Sequence, residues 1–292
     1  MVIASLTDAL RRGDDGDSVP RTSLPTRHGE LLIMPAAGSE YFGVKLAAIG
    51  MSPEITARVQ GGYLLFSQST MAPLALIDGV ELTLRRTAGM SALAASVTGT
   101  PSGHVHIFGA GPQAIAHAEA LHATGLAVTV GFSSRDPEKA EAAAAAAAAA
   151  GVPIAARPLE DARIVVCATT SGTPLFSSAD VASDAAIIAV GSHHPDRREV
   201  GTDVVRNAWT IVDGREAASR EAGDVIMAEK ERGAPVVRGT LGDVVRGEID
   251  PPPDRRVFFK SVGEGWQDLA VAGASLRRDG GAAAPTTTKG DE

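Results

Sequence analysis

The feature that most constrains this chain is a glycine turn about one hundred residues from its start, in the run HVHIFGAGPQAIAH that begins at His104. We interpret the run as a buried strand over 105–108, a tight turn, and a helix that opens at Pro112. Gly109 allows the sharp turn, and Gly111 lets the backbone approach a pyrophosphate at the helix N-terminus. The run therefore predicts the first βαβ unit of a dinucleotide-binding domain.

The residues that follow this turn bear on the kind of dinucleotide. Ala114 takes the third small position, where the helix must pack closely on the strand. Such glycine patterns also occur in ordinary strand–turn–helix units, so the next strand matters. It ends in Ser133, Ser134 and Arg135. An acidic residue at this strand end is typical of NAD binding, whereas an arginine accommodates the 2′-phosphate of NADP. The sequence favours NADPH, with NADH as the alternative, unless Arg135 is a plain surface arginine.

Composition excludes several other classes of protein. The 292 residues suffice for two domains with their own cores, and a net charge of −8 does not indicate a nucleic-acid or anionic membrane surface. Cys167 is the single cysteine, and the seven histidines show no ligand-like spacing with carboxylates, so no disulfide framework and no metal site are expected. No segment reaches the roughly 18 consecutive apolar residues of a membrane span. The start of the chain lacks the basic region of a signal peptide, so a cytoplasmic protein is expected.

Hydrophobic periodicity divides the chain into two kinds of region. The first is predicted to hold a helix, four short strands and a second helix, over 2–12, 30–34, 42–49, 57–66, 73–77 and about 80–97. After a linker at 98–103, the further strands are predicted over 105–108, 126–132, 164–168, 186–190, 209–212 and 257–260. Helical or turn segments are predicted over 138–150, 215–231, 238–246 and 263–277, the alanine-rich first one as a solvent-facing crossover helix. Strands that alternate with helices imply a parallel sheet.

Several further motifs, taken with the glycine turn, resemble the ornithine cyclodeaminase/mu-crystallin family. They extend from about residue 20 to 272 in the family's order and rough spacing. The segments are LLIMP (31–35), GVK (43–45), PLALIDG (73–79), LTLRRTAGMSA (82–92), GAGPQA (109–114), VGSHHPDRRE (190–199), VD (212–213) with EAGD (221–224), and FKSVG (259–263). Each segment is weakly specific, whereas their ordered recurrence is strongly specific.

The resemblance implies an α/β fold in which a Rossmann-fold dinucleotide-binding domain is inserted into an α+β substrate and dimerisation domain. We expect the substrate domain at 1–100 plus 261–279, the Rossmann domain at 101–260, and a disordered tail at 280–292. It also implies a homodimer, and hydride transfer between a nicotinamide and the C=N or C–N carbon of an α-imino or α-amino acid.

The family's substrate residues map onto this chain by motif. The resemblance assigns substrate binding to Arg21, Lys45, Arg86, Arg197 and Val262, and catalysis to Lys45 together with His193. A carboxylate substrate suits a bidentate guanidinium, and the lysine could hold the same carboxylate or share a proton with the imine nitrogen. From the residues without the resemblance, each cation could equally be an exposed surface charge. Arg85 is predicted to be such a charge.

Cofactor binding is assigned to a larger set. The resemblance and the glycine motif together give Gln60, Gly109, Gly111, Pro112, Gln113, Ala114, Ser133, Ser134, Arg135, Thr169, Val190, Gly191 and Ser261. The loops holding Thr169 and Val190 follow predicted strands, where parallel sheets bind ligands. They could also be ordinary βα loops, and Gln60 and Ser261 could simply serve hydrogen bonds of a turn or strand end.

Two positions depart from the family's cyclodeaminase pattern. Leu32 stands where cyclodeaminases resemble one another in having a glutamate, and His193 stands where they have an aspartate. A second amine on the substrate would therefore meet no acidic partner. The chain more nearly resembles the reductases of cyclic imino acids, with Δ1-pyrroline-2-carboxylate or Δ1-piperideine-2-carboxylate as substrate and proline or pipecolate as product. His193 would act as, or orient, the proton donor, because an imidazole titrates near neutral pH.

Other activities stay open at this point. The alternatives are an ornithine or lysine cyclodeaminase, another amino-acid dehydrogenase of the family, and a protein that binds NADPH as a carrier without catalysis. Three cations in the other domain argue against the carrier, because nucleotide binding does not need them.

Overall fold

The computed structural model describes residues 1–16, 19–52, 54–55, 59–253 and 255–278. Two β-sheets organise these residues. The first is an antiparallel meander in which each strand pairs with the next: β1 (Thr22–Thr26), β2 (Gly29–Ala37), β3 (Tyr41–Gly50), β4 (Val59–Ser67) and β5 (Pro73–Asp78). Its first strand, β1, is exposed along its whole length and lacks an apolar face, so the sequence pattern did not predict it.

The second sheet is parallel and has seven strands. Its members are β6 (Gly103–Phe108), β7 (Ala127–Ser133), β8 (Ala162–Cys167), β9 (Ala186–Ala189), β10 (Trp209–Val212), β11 (Val237–Thr240) and β12 (Val257–Lys260). The order across the sheet is β11-β10-β12-β9-β8-β6-β7. Because β7 and β8 flank β6 on opposite sides, the order in which strands are added to the sheet reverses at β6, which is where open parallel sheets bind ligands. Residues 238–246 were predicted as helix or turn. That prediction is wrong for 238–240, which belong to β11, whereas Leu241–Val245 is helical.

Nine α-helices surround the two sheets in the described part of the chain. They are α1 (Val2–Arg12), α2 (Gly79–Val97), α3 (Pro112–Ala123), α4 (Pro137–Ala149), α5 (Thr202–Arg206), α6 (Arg215–Glu221), α7 (Gly223–Arg232), α8 (Leu241–Val245) and α9 (Gly265–Arg278), with a 3-10 turn at Leu159–Asp161. The alanine-rich α4 links β7 to β8 as a crossover helix. It is not wholly solvent-facing, because Ala143 and Ala147 are buried.

Packing joins the first sheet to the parallel one. One continuous cluster of buried apolar side chains includes Leu6 of α1, Tyr63 of β4, Met90 of α2, Val105 of β6 and Trp266 of α9. The last helix, α9, returns from the parallel sheet and packs against α1, α2 and strands β2 to β4. A second cluster covers the opposite face of the parallel sheet. The prediction of an α/β protein with a parallel sheet is confirmed. The predicted tail at 280–292 lies outside the described residues.

Candidate active site

A cavity of about 200 Å³ lies between the two sheets. It is lined by Arg21, Leu32, Met34, Lys45, Ala47, Ile49, Val59, Thr83, Arg86, Thr87, Gln113, Val190, His193, Ser261, Val262 and Gly263. Three of the four cations predicted to bind substrate, both candidate catalytic residues and several predicted cofactor residues therefore meet in one place. A cavity of about 240 Å³ over α1, α9 and the β2–β3 turn is lined by none of the predicted site residues.

Lys45 reaches this cavity through the pleat of β3. Alternate residues of a strand face opposite sides, so Lys45 and Ala47 point inward while Leu46 is exposed. The Nζ atom of Lys45 lies 2.7 Å from Oδ2 of Asp268, and both side chains are buried. Burial lowers the pKa of Lys45 to about 8, against the opposing attraction of Asp268, and the charges of Arg86 and Arg21 lower it further. This amine is thus held where it can exchange a proton close to neutral pH.

Arg86 shares the same counterion from the helix α2. Its Nε lies 3.3 Å from Oδ1 of Asp268, and its Nη1 donates to Oε1 of Gln267 at 2.8 Å. The guanidinium also packs on Gly263, where a Cβ would come within 2.7 Å of both terminal nitrogens. The neighbouring Arg85 points outward instead and pairs with two exposed or half-exposed glutamates, as predicted.

Arg21 comes from the segment before β1 and bridges to the far side of the cavity. Its Nη1 donates to the carbonyl oxygen of Val262 at 3.2 Å, and its Nη2 forms an ion pair with Glu221 at the end of α6. Burial lowers the pKa of Arg21 to about 10, so the guanidinium stays charged at neutral pH. Arg21 therefore adds a third cation to the cavity wall.

The glycine turn after β6 has the shape that a dinucleotide phosphate requires. Gly109 has φ +127°, and a Cβ there would lie 2.5 Å from the carbonyl oxygen of Ala168. A Cβ on Gly111 would meet no atom within 4 Å, so the space above the turn is open. Helix α3 begins at Pro112 without a side-chain cap, and Ala114 is buried against the strand. The amides of the first helical turn are therefore available to a diphosphate.

Next to this turn, Gln113 carries an unpaired polar atom into the cavity. Its Nε2 donates to the carbonyl of Thr83 at 3.5 Å, while its Oε1 is buried without a hydrogen-bond partner among the described residues. An unpaired buried acceptor indicates a site for a donor from a ligand. The open turn and this acceptor together fit a bound dinucleotide.

The loops after β8, β9 and β12 supply the remaining predicted residues of the cofactor side. Thr169 and Gly191 both hydrogen-bond to the buried Glu199, and Val190 lines the cavity. Ser261 donates to Asp213 at 2.7 Å, and the amides of Val262 and Gly263 donate to the same oxygen of Asp213 at 3.1 and 2.8 Å. One buried carboxylate thus shapes the turn that presents Val262 to the cavity.

Eleven predicted site residues are absent from the cavity lining. Six of them belong to the turn and loops described above: Gly109, Gly111, Pro112, Ala114, Thr169 and Gly191. The other five are Gln60, Ser133, Ser134, Arg135 and Arg197. Ser133 pairs with Nε2 of His106 at 2.9 Å, Ser134 accepts from the amide of Asp136 at 3.3 Å, and Arg135 is exposed at the end of β7. That strand end is where the adenosine half of a dinucleotide would lie. Two others point elsewhere: Gln60 is exposed on β4, and Arg197 is exposed and donates to the carbonyl of Thr170 at 2.9 Å. The structure does not bring Gln60 or Arg197 into the cavity.

His193 lines the cavity, but its charge state differs from the expected one. Burial lowers its pKa to about 3, and the nearby charges of Arg21, His194, Lys260 and Arg197 lower it further. The imidazole is therefore neutral near pH 7, not in balance between two charge states. Its Nε2 is buried without a hydrogen-bond partner among the described residues.

Sequence reasoning missed the carboxylates that support these residues. Asp268 pairs with Lys45 and Arg86. Asp213 holds the turn at Val262, and Glu199 holds the loops that contain Thr169 and Gly191. The signal available for Glu199 and Asp213 was their place in the matching motifs at 190–199 and 212–213, whereas Asp268 lies in none of those motifs. No group of three potential metal ligands occurs among the described residues. No helix there is long and apolar enough to cross a membrane.

Comparisons with known proteins agree with this geometry. The model of the ornithine cyclodeaminase/mu-crystallin family matches residues 2–275. A ketimine reductase mu-crystallin from Macropus fuliginosus is 33% identical over 89% of this chain and 85% of its own length. A Δ1-pyrroline-2-carboxylate reductase from Bacillus cereus is 32% identical over 86% of this chain and 83% of its own.

A solved structure extends the likeness to three dimensions. It is the Δ1-pyrroline-2-carboxylate reductase of Thermococcus litoralis in complex with NADH and L-proline, which is 27% identical. The match has a TM-score of 0.86 and covers 97% of this chain and 95% of that one. The resemblance inferred from the sequence motifs is confirmed, and the chain belongs to the ornithine cyclodeaminase/mu-crystallin family.

Proposed function

We propose that this protein is an NAD(P)H-dependent reductase of small cyclic α-imino acids. Its substrate would be Δ1-pyrroline-2-carboxylate or Δ1-piperideine-2-carboxylate, and its product L-proline or L-pipecolate. The observation that carries the proposal is the single cavity in which Arg21, Lys45 and Arg86 face a turn suited to a dinucleotide. Relatives that are reductases of Δ1-pyrroline-2-carboxylate and of ketimines support the same activity.

The cavity divides into a charged part and an apolar part, as such a substrate requires. Arg21 and Arg86 offer guanidinium groups for the carboxylate. The side chains of Leu32, Met34 and Ala47 line the rest of the same wall and suit the methylene groups of a ring. A substrate with one charge and a short hydrocarbon ring satisfies both parts.

In this proposal Lys45 is the proton donor. A bound nicotinamide supplies a hydride to the imine carbon, and the imine nitrogen must gain one proton to become the amine. Lys45 is buried beside the cavity with a pKa of about 8, so its ammonium is populated at neutral pH and can release a proton. Asp268 stays 2.7 Å from that ammonium and keeps it oriented. The neutral His193 would then shape the cavity and hydrogen-bond to the substrate.

The cofactor assignment rests on the strand end after β7. Ser133, Ser134 and the exposed Arg135 favour NADPH over NADH, because an arginine can pair with the 2′-phosphate. The solved structure of the relative from Thermococcus litoralis is of its complex with NADH, so NADH is the alternative cofactor.

Ornithine or lysine cyclodeamination is the runner-up activity. The second amine of such a substrate is a cation, and the cavity offers it Leu32 and a neutral imidazole instead of a carboxylate. Transfer of an ammonium into such surroundings is costly. A cavity with three cations also disfavours a carrier protein that binds only NADPH.

A cytoplasmic homodimer is part of the proposal, with residues 1–100 and 261–279 as the substrate and dimerisation domain and 101–260 as the Rossmann domain. The face of the first sheet opposite the cavity supports it. Leu24, Leu46 and Leu76 are 54%, 41% and 80% exposed there or at its edges. Exposed apolar side chains on neighbouring strands are typical of contact surfaces. Sedimentation velocity, with Leu46→Glu as the disrupting variant, tests the dimer.

One experiment separates the candidate activities. NADPH oxidation is followed by its absorbance with each cyclic imine. Because cyclodeamination regenerates NAD⁺ in each turnover, release of ammonia is followed instead with L-ornithine and L-lysine in the presence of NAD⁺. We expect turnover with a cyclic imine and none with the diamines. Turnover with L-ornithine instead would favour the cyclodeaminase, and binding of NADPH without any turnover would favour the carrier protein.

A further inference from the structure

Three charged side chains lie buried beneath the loops that follow β8 and β9. Glu199, Asp224 and Lys260 have no exposed surface, and none of them lines the active-site cavity. Burying charges is costly even when they are paired, and apolar replacements are often as stable. A role other than stability is therefore worth seeking for this group.

The Glu199 carboxylate joins two loops that belong to neighbouring strands. Its Oε1 accepts hydrogen bonds from the amide and the hydroxyl of Thr169, both at 2.7 Å. Its Oε2 accepts from the amide of Gly191, also at 2.7 Å. Since Thr169 follows β8 and Gly191 follows β9, one side chain fixes the spacing between two strand ends.

Asp224 and Lys260 hold Glu199 and its loop from below. Oδ1 of Asp224 accepts from the amides of Glu199 and Val200, each at 2.8 Å. Nζ of Lys260 lies 2.9 Å from Oδ2 of Asp224 and donates to the carbonyl of Ser192 at 2.7 Å. Burial raises the pKa of Glu199, and both the charge of Lys260 and the hydrogen bonds from Thr169 oppose that rise.

The turn held in this way has no spare room. A Cβ on Gly191 would lie 2.0 Å from the carbonyl oxygen of Thr169 and 2.6 Å from Oε1 of Glu199. The flanking residues of the same turn, Val190 and His193, line the active-site cavity. A small displacement at Gly191 would therefore move the cavity wall.

We infer that Glu199 is a positioning residue, which clamps the Thr169 and Gly191 loops together and so sets the wall that receives the nicotinamide half of the cofactor. The inference rests on the proposed function for the identity of the ligand. Val190, which follows β9, lines the same cavity as Lys45 and Arg86, and Glu199 ties Thr169 after β8 to that turn. The reacting end of the dinucleotide would lie there. The glycine turn after β6 would hold the phosphates by its own backbone, and the carboxylate of Glu199 bonds to Thr169 and Gly191, not to that turn.

The clamp predicts a division between the two halves of the dinucleotide. In Glu199→Gln, the amide oxygen can still accept from Thr169, but its NH₂ group meets the N–H of Gly191. We expect the affinity for NADPH to fall roughly tenfold, as for the loss of one hydrogen bond to a charged group. We expect the affinity for 2′-phospho-ADP-ribose, which lacks the nicotinamide, to change less than about twofold.

A second readout needs no cofactor. Amide hydrogen exchange, followed by mass spectrometry, should speed up in peptides covering 167–172 and 190–194 of Glu199→Gln. Peptides that cover the glycine turn at 105–115 should exchange as in the wild type. A general loss of structure would raise exchange in both sets.

Two further variants complete the design. Glu231→Gln removes an exposed carboxylate on the nearby helix α7, where it pairs with Arg198, and should bind both ligands as the wild type does. Glu199→Asp keeps the buried negative charge beside Lys260 but is one methylene too short to reach both loops. It should show the same selective loss of NADPH affinity, and it replaces Glu199→Gln in the test if that variant does not fold.

The results distinguish the possible failures. Equal losses for NADPH and 2′-phospho-ADP-ribose, or no loss for either, would overturn the clamp. The clamp would also be overturned if hydrogen exchange in Glu199→Gln were no faster in either loop than in the wild type. The third possible result combines two measurements. If the wild type bound neither ligand, but Glu199→Gln still exchanged faster in the two loops alone, the proposed cofactor would be contradicted and the clamp would not.

Discussion

The two walls of the cavity are built from different parts of the chain. On the first sheet and its helices, charged side chains stand on regular elements: Lys45 on β3 and Arg86 on α2, both paired with Asp268 on α9. On the parallel sheet, turns face the cavity, and the buried carboxylates Asp213 and Glu199 hold those turns in shape through hydrogen bonds from their backbone amides. We expect single substitutions on the first wall to alter substrate chemistry, and those on the second to alter cofactor affinity.

The largest effect should come from the first wall. Arg86→Ala removes the guanidinium that faces the substrate carboxylate and should lower kcat/KM by roughly 2–4 kcal/mol, or about thirty- to a thousand-fold. The affinity for NADPH, measured by fluorescence titration, should stay nearly unchanged. Arg85→Ala is the matched control, because Arg85 sits next to it on α2 but pairs only with Glu81 and Glu119 outside the cavity. A variant that keeps wild-type kcat/KM would remove Arg86 from the site.

The same comparison explains which parts of the site could be predicted from the sequence. Arg21, Lys45 and Arg86 belong to motifs, so the resemblance named them, and the cavity brings them together. The glycine turn is local, because Gly109 and Gly111 dictate its shape within a few residues. Asp268 lies 182 positions from Arg86 and contacts it only after α9 returns to the first sheet. Such long-range pairing leaves no local signal.

The fold shows the same limit. Strands predicted from apolar runs, such as 257–260, are confirmed, because a buried parallel strand is apolar on both faces and so leaves a clear pattern in the sequence. In β11 only Gly239 and Thr240 are buried, and in β1 no residue is, so periodicity gave no signal for either strand. Both are edge strands, whose pairing with one neighbour is set by tertiary contact. Exposed residues such as Gln60 and Arg197 could not be told from ligand contacts by their motif.

A second substitution on the first wall tests the electrostatics of Lys45. The pKa of Lys45 is about 8, so the ammonium is lost as the pH rises above that value, and kcat/KM should fall with it. Asp268 raises that pKa, and Arg86 and Arg21 lower it. In Asp268→Asn the raising charge is gone, so the falling limb should move to lower pH by about one unit or more.

The pH profile of kcat/KM for the imine measures this shift. Protonation of the imine itself gives a falling limb of the same sign, so the displacement in the variant is the informative quantity. Asp184 is half-buried and pairs with Arg163 away from the cavity, so Asp184→Asn should leave the limb in place. An unmoved limb in Asp268→Asn would mean that the substrate and not Lys45 titrates.

The second wall should respond in cofactor affinity without a change in substrate chemistry. Arg135→Asp should weaken NADPH about tenfold, because a charge-assisted hydrogen bond to the 2′-phosphate is lost, and should leave NADH nearly unaffected. Arg135→Lys keeps the charge and should keep most of the preference. Dissociation constants for both cofactors decide the matter. A wild type that binds NADH more tightly would show that the strand end after β7 does not select the 2′-phosphate.

The smallest effect is expected at His193, which lies on the second wall and faces the cationic side chains of the first wall. With a pKa near 3 the imidazole is neutral at working pH and holds no proton to give as an imidazolium. His193→Asn retains a hydrogen-bonding group, so kcat/KM should fall by about tenfold at most, the worth of one hydrogen bond. The falling limb near pH 8 should be unchanged. Loss of a general acid would instead cost about a hundredfold or more. If the variant lost that much and its falling limb together, the imidazole would be the donor, its pKa raised by bound substrate, and Lys45 would be left to anchor the carboxylate.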